Sequence, residues 1–152
     1  EWDGVRFTFL HPAPADYRQP RKSNDLSCVL RVDAGGKRAL ITSDIEARSE
    51  TEILARHRGR LRADVLIAPH HGSRTSSTPA FVAAVDAPDI VFPVGYRNRF
   101  GHPKPEVVAR YDLPGHRLHR TDRDGAISFV LGGGAVGADH QREADRRYWH
   151  GR

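Results

Sequence analysis

The sequence predicts a layered α/β domain. Short apolar runs at Val65–Ala68 and Ile90–Val94 have the length of buried strands. Between and around them stand helix-start signals: Ser49-Glu50-Thr51-Glu52, Thr78-Pro79 and Pro105. A strand–turn–strand pattern comes before both runs, with its turn at Asp33-Ala34-Gly35-Gly36. Strands that alternate with helices in this way must bury their apolar faces under a helical layer, which defines the class.

Taken in order, Val5–Leu10 reads as a partly alternating strand with Phe7 and Phe9 on one side. Pro12 to Asp25, rich in proline and charge and without a period, reads as a loop. Leu26–Val32 and Lys37–Thr42 form the hairpin, with Cys28 as a small core residue. The capping box starts a helix at Ser49 that runs to about Arg58, with Ile53, Leu54 and His57 inward. Thr78 caps a helix over Pro79–Val85, and Pro105–Tyr111 reads as another. Arg117–His119 and Ala126–Leu131 read as closing strands. Gly132–Arg152, first Gly-rich and then charged, reads as a frayed or weakly helical tail, so the domain is expected over residues 1–131. His11, His116 and His119 are read as structural, and His140 and His150 as tail residues.

Composition narrows the function classes. One cysteine excludes a disulfide framework and a Cys-based zinc module. No apolar run approaches the roughly 18 residues of a membrane span, and no secretory leader pattern is present. The chain contains no methionine and opens on Glu1-Trp2-Asp3-Gly4, so an excerpt of a longer protein is expected, with any multi-segment site divided. The net charge is +5, and Lys22, Lys37 and Lys104 are the only lysines. Arginine binds phosphate bidentately, which suits a phosphate-rich partner; a coding bias toward arginine is the competing account.

Three strand ends carry polar groups. Pro69-His70-His71-Gly72-Ser73 follows the strand Val65–Ala68 and leads into small hydroxyl residues; imidazole is the commonest side-chain metal ligand. Extended neighbours point opposite ways, so one of His70 and His71 is expected to reach a given ion. Asp44, in Thr42-Ser43-Asp44, is placed as a carboxylate ligand at another strand end. Tyr96-Arg97-Asn98-Arg99-Phe100-Gly101-His102-Pro103 follows Ile90–Val94, and its Arg97, Arg99 and Lys104, with Tyr96 and Phe100, suit a nucleic-acid backbone and a stacked base. If these strands run parallel, all three ends share one edge, where α/β sheets bind ligands.

Asn24–Leu30, Ala39–Glu46, Ala63–Ser77 and Asn98–Pro103 together resemble the metallo-β-lactamase-fold domain of ComEC-type DNA-internalisation competence proteins. The resemblance runs from about Val5 to Leu131. It implies the C-terminal half of an αββα sandwich. Asp44 would be the metal-bridging carboxylate, His70 or His71 the last histidine ligand, and His102 a catalytic acid or transition-state stabiliser. Ser73, Arg74, Arg97, Asn98, Arg99 and Lys104 would contact phosphate or DNA. The implied cofactor is a divalent metal, zinc or manganese, in the complete domain. The main ligand motif, His-x-(His/Asp)-x-Asp-His, is absent here, so this piece is expected to bind none and be inactive alone. The implied partners are DNA, single-stranded or duplex, the upstream half of the same domain, a transmembrane channel in the parent chain, and a second copy of the piece covering an open sheet face. The implied location is the periplasmic side of a bacterial inner membrane. A DNA-guiding module without catalysis, and a relative acting on another ester, are the rival readings.

Overall fold

Six strands pair in the order in which the chain makes them. The computed structural model describes residues 1–147. β1 (Arg6–His11), β2 (Val29–Ala34) and β3 (Lys37–Ile41) form an antiparallel meander. β4 (Val65–Ile67), β5 (Asp89–Phe92) and β6 (Arg117–Arg120) extend it in parallel from β3. α1 (Ala47–His57), α2 (Pro79–Val85) and α3 (Pro105–Tyr111) make the crossovers. The architecture is therefore a mixed α/β sheet with few helices.

The register shows how the layers form. Leu40, Leu66, Ile90 and Leu118 stand in one row across β3 to β6. That row joins Ile53, Phe81, Val85, Val107 and Tyr111 from the three helices in a single core. All three helices thus cover one face, as successive right-handed crossovers in one direction require. The other face carries Phe9, Leu30, Ile41, Ile67 and Val91 in register. Phe9 there is 68% exposed, and Phe7 in the next row 46%.

Local signals set α2 and α3. Thr78 Oγ1 accepts the Phe81 N–H at 3.4 Å, and Pro79 and Pro105 occupy first turns, where no N–H is needed. The capping box at Ser49 does not form. α1 starts at Ala47, and Ser49 and Glu50 are fully buried within it. The Glu50 carboxylate instead accepts the backbone N–H groups of Ser77 and Thr78. Burial raises its pKa, against those hydrogen bonds and nearby Arg110. A tertiary bond has displaced the local one.

Other expectations are corrected at the hairpin and the C-terminus. Residues Asn24–Leu26 form a 3-10 turn, because the Asp25 carbonyl is held by His11 Nε2 at 2.8 Å, so β2 begins only at Val29. Cys28 is consequently exposed rather than in the core. The Pro12–Asp25 loop is anchored by Asp16, which is 2% exposed and takes Arg56 in a bidentate pair at 2.6 and 2.7 Å and Arg21 at 2.9 Å. Past Gly132 the chain does not simply trail away. Ala138–His140 (β8) pairs antiparallel with Ile127–Phe129 (β7) in a second small sheet, and Gln141–Ala144 forms a helical turn. The end of the expected tail, His150 included, lies outside the described residues.

Candidate functional site

Because β3, β4 and β5 are parallel, the loops that follow them emerge at one edge of the sheet. Backbone bonds then join the loops. The His70 N–H donates to the Ser43 carbonyl at 2.9 Å, and the Lys104 N–H donates to the Gly72 carbonyl at 2.9 Å. Thr42 Oγ1, fully buried, donates to the Ile67 carbonyl at 2.6 Å.

The loop after β4 has unusual backbone. His70 (φ 47, ψ 43) and His71 (φ 56, ψ 20) are both left-handed, and Gly72 follows at φ +80. A left-handed residue with a Cβ costs roughly 1–2 kcal/mol, and such strain concentrates at functional sites. Gly72 also has no room for a side chain. A Cβ there would meet Pro103 Cβ at 2.6 Å and the Phe92 ring at 3.0 Å. This close approach brings the His70-His71 loop against the loop that carries His102.

The doublet is not extended, and its two rings take different partners. His71 Nδ1–H donates to the Pro93 carbonyl at 2.7 Å, and its Nε2 faces Asp44 Oδ1 at 3.4 Å. A backbone acceptor that fixes the tautomer in this way is the usual support of a metal-binding imidazole. His70 Nδ1 instead lies 3.3 Å from Thr75 Oγ1 and 3.5 Å from Glu46 Oε1. Its ring stands 6.2 Å from that of His102. His102 stacks on Phe100 at 5.9 Å, and its Nδ1 is buried without a hydrogen-bond partner among the described residues. Burial holds the His102 pKa below the ordinary 6.5, helped by Lys104, His70 and His71, so the ring is neutral at pH 7. A cavity of about 220 Å³ opens here, lined by His71, Pro93, Val94, Asn98, Phe100 and His102 among others.

The remaining predicted residues divide into braces of the loops and cations laid over aromatic rings. Asn98 clamps the loop: its Oδ1 accepts the His102 N–H at 2.9 Å and its Nδ2 donates to the His102 carbonyl at 2.8 Å. Ser73 is buried, and its hydroxyl meets Thr75 Oγ1 at 3.2 Å. Lys104 Nζ donates to the Phe100 carbonyl at 2.7 Å. Arg74 is paired with Glu106. Arg97 lies over Tyr96 at 5.2 Å and Arg99 over Phe100 at 5.0 Å, each on an exposed ring. The structure thus brings Asp44, His71, His70 and His102 together, with Arg97 and Arg99 on the flanking loop. Sequence reasoning gave no role to Glu46 or to Phe100 as a cavity wall; both lie in segments it had already singled out.

The donor chemistry fits part of a cation site. Ligands about 2.1 Å from a tetrahedral ion stand about 3.4 Å apart, which matches Asp44 Oδ1 and His71 Nε2 at 3.4 Å. Among the described residues no third His, Cys or carboxylate ligand atom lies within 4.8 Å of both of them, so the pair is an incomplete ligand set, with the His70 ring 6.4 Å from that of His71.

Comparison with known proteins decides the kinship. Over 98% of its length the chain is 41% identical to "Competence protein ComA" of Neisseria gonorrhoeae, covering 21% of that protein. It is homologous to one segment of a competence protein. It is also 33% identical to "Recombination protein 2" of Haemophilus influenzae (strain ATCC 51907 / DSM 11121 / KW20 / Rd), over 84% of the chain and 15% of that protein. To "ComE operon protein 3" of Bacillus subtilis (strain 168) it is 30% identical, over 82% of the chain and 16% of that protein. The chain therefore spans about a fifth or less of these curated relatives. No family model matches it, and no solved structure matches it.

Proposed function

We propose that this chain is part of the metal-dependent phosphodiesterase domain of a DNA-uptake protein, acting on the strand that is not imported. The observation that carries the reading is the His71–Asp44 pair, with the His71 tautomer set by Pro93 at the edge where three loops meet. Homology to segments of proteins named for competence and recombination supports the general role. In this reading the chain supplies one half of an αββα metallo-β-lactamase-like sandwich, and the apolar face bearing Phe7, Phe9 and Ile41 takes the upstream half, or a second copy, against it.

Asp44 and His71 would hold a divalent ion, zinc or manganese, and His70 lies beside them. Such an ion, when bound, acidifies a water and polarises a phosphate oxygen. The neutral His102 presents an imidazole to the same cavity and is placed to donate its N–H to a phosphate oxygen. Arg97 and Arg99 bind the nucleic-acid backbone, with Tyr96 and Phe100 as stacking surfaces. Ser73, Arg74, Asn98 and Lys104 act through the shape of the loops. No helix among the described residues is long and apolar enough to cross a membrane; the parent's inner-membrane channel and the periplasmic position of this domain belong to the proposal.

The test is DNA cleavage by the full-length protein with added manganese or zinc. Asp44→Ala and His71→Ala are each expected to lower the rate at least a hundredfold, and unchanged cleavage in either would refute the reading. The exposed Arg97 and Arg99 over aromatic rings favour a second reading, a DNA-guiding surface without hydrolysis. That reading predicts metal-independent DNA binding whose salt slope falls by roughly one for each arginine removed.

A further inference from the structure

We propose a second cation site, separate from the Asp44 rim, in which His119, His140 and Asp124 hold a divalent transition ion, zinc above all, and clamp the β7–β8 hairpin onto β6.

One ligand atom from each of these residues lies within 4.8 Å of the others. His119 is 5% exposed and sits on β6, on the sheet face opposite the helices. Its Nε2 is 2.9 Å from Asp89 Oδ1, and Asp89, 1% exposed, is also held by Arg117. The Asp89 carboxylate, which accepts from the Arg117 guanidinium, accepts from His119 as well and so places the proton on His119 Nε2. The Nδ1 lone pair then points at His140 Nε2, 2.9 Å away. On its far side, His140 Nδ1 lies 3.5 Å from Glu143 Oε2. Each imidazole thus has a carboxylate behind it and turns its other nitrogen toward a common point. A carboxylate behind each ligating imidazole is the recurrent second layer of zinc centres. Asp124 brings an oxygen to the same point; its Oδ2 accepts the Arg120 N–H at 2.7 Å.

Without an ion, two nitrogens at this distance need a proton between them. An ion replaces that proton and draws in the carboxylate, giving two nitrogens and one oxygen with a fourth position for water. Borderline ions such as zinc prefer this donor set. The other compact His-and-carboxylate group among the described residues, His11, Asp16 and Glu52, makes a useful contrast. There Arg21 and Arg56 already neutralise both carboxylates. No arginine or lysine is paired with Asp124, His140 or Glu143 through its side chain among the ion pairs of the described residues.

The placement gives the ion a structural task. β7 and β8 belong to a separate two-stranded sheet, which needs anchorage to the main one. His119 meets Phe129 of β7 edge-on at 5.5 Å. From the turn after β8, Arg142 lies over Tyr96 of the basic loop at 5.8 Å. An ion on His140 therefore holds the element that backs this loop.

The experiment uses the chain stripped with chelator and then titrated with cobalt(II) and zinc. Ligand-field absorption, metal content and the thermal midpoint are read. Asp124→Asn and His140→Gln alter the half-buried ligands, and circular dichroism checks that both variants fold. The Asp44→Asn/His71→Gln double variant reports the other rim. One equivalent of tightly held ion is expected in the wild type and in the double variant, with zinc raising the thermal midpoint. Affinity should fall roughly tenfold or more in Asp124→Asn and His140→Gln, at least the scale of losing an outer-layer partner. No bound ion in the wild type overturns the proposal. So does undiminished binding in folded His140→Gln, or an ion lost only in the double variant.

Discussion

Gly72→Ala is expected to destabilise the chain far more than Gly36→Ala, although both glycines are left-handed. Gly36 has φ +78 and no atom within 4 Å of an added Cβ, so the new methyl costs only the backbone strain, about 1 kcal/mol. Gly72 has φ +80 and the same strain, but its Cβ would overlap Pro103 Cβ at 2.6 Å. Neither Pro103 nor the Phe92 ring is the free end of a flexible chain, so the overlap must move a loop. Overpacking of this kind adds about 1–3 kcal/mol, for a total of about 2–4 kcal/mol. Urea unfolding of both variants at pH 7 measures the difference. Equal losses, within about 0.5 kcal/mol, would refute the claim that close approach, and not backbone conformation alone, reserves this position for glycine. The displacement of Pro103 would also shift His102, so Gly72→Ala should lower DNA cleavage by the full-length protein while Gly36→Ala should not.

Two further expectations concern protons. The hydrogen bonds from Arg56, with help from Ala13 and Arg21, hold the Asp16 pKa at about 2, against an ordinary value of 3.8. A depressed carboxyl stabilises the fold above its unfolded pKa and loses that contribution as pH falls through the folded one. Asp16 should therefore contribute roughly 1–2 kcal/mol at neutral pH, discounted for solvent screening, and this should vanish from about pH 4 down to about pH 2. Urea midpoints of wild type and Asp16→Asn across that window check it; parallel curves would refute it. His102 is the reverse in kind: the fold disfavours its charged form, so its contribution is present when neutral and shrinks as pH falls below the ordinary 6.5. Proton NMR of its ring should place the midpoint below that value, and Lys104→Gln should move it upward.

How much of this was legible in the sequence depends on whether the cause is local. The ranges of α2 and α3 follow from Thr78, Pro79 and Pro105, whose preferences act within one turn. The meeting of three loops at one edge follows from the order of strands and helices. By contrast, Ser49 and Glu52 have the spacing of a capping box, yet α1 begins earlier because Glu50 is drawn to the Ser77 and Thr78 amides, distant in sequence. Which member of the histidine doublet faces Asp44 was equally hidden. The argument from alternation assumes extended backbone, and both residues are left-handed. The grouping of His119, Asp124 and His140 depends on a β7–β8 pairing across Gly132-Gly133-Gly134, a stretch that reads as the start of a tail.

Strand order equals chain order throughout the main sheet. Each strand after the first therefore finds its neighbour already synthesised, and none has to be inserted between two that have closed. Such a sheet can zip up strand by strand as it leaves the ribosome, and at every stage the growing edge is the ladder that the next segment joins, while the outer edge of β1 stays open.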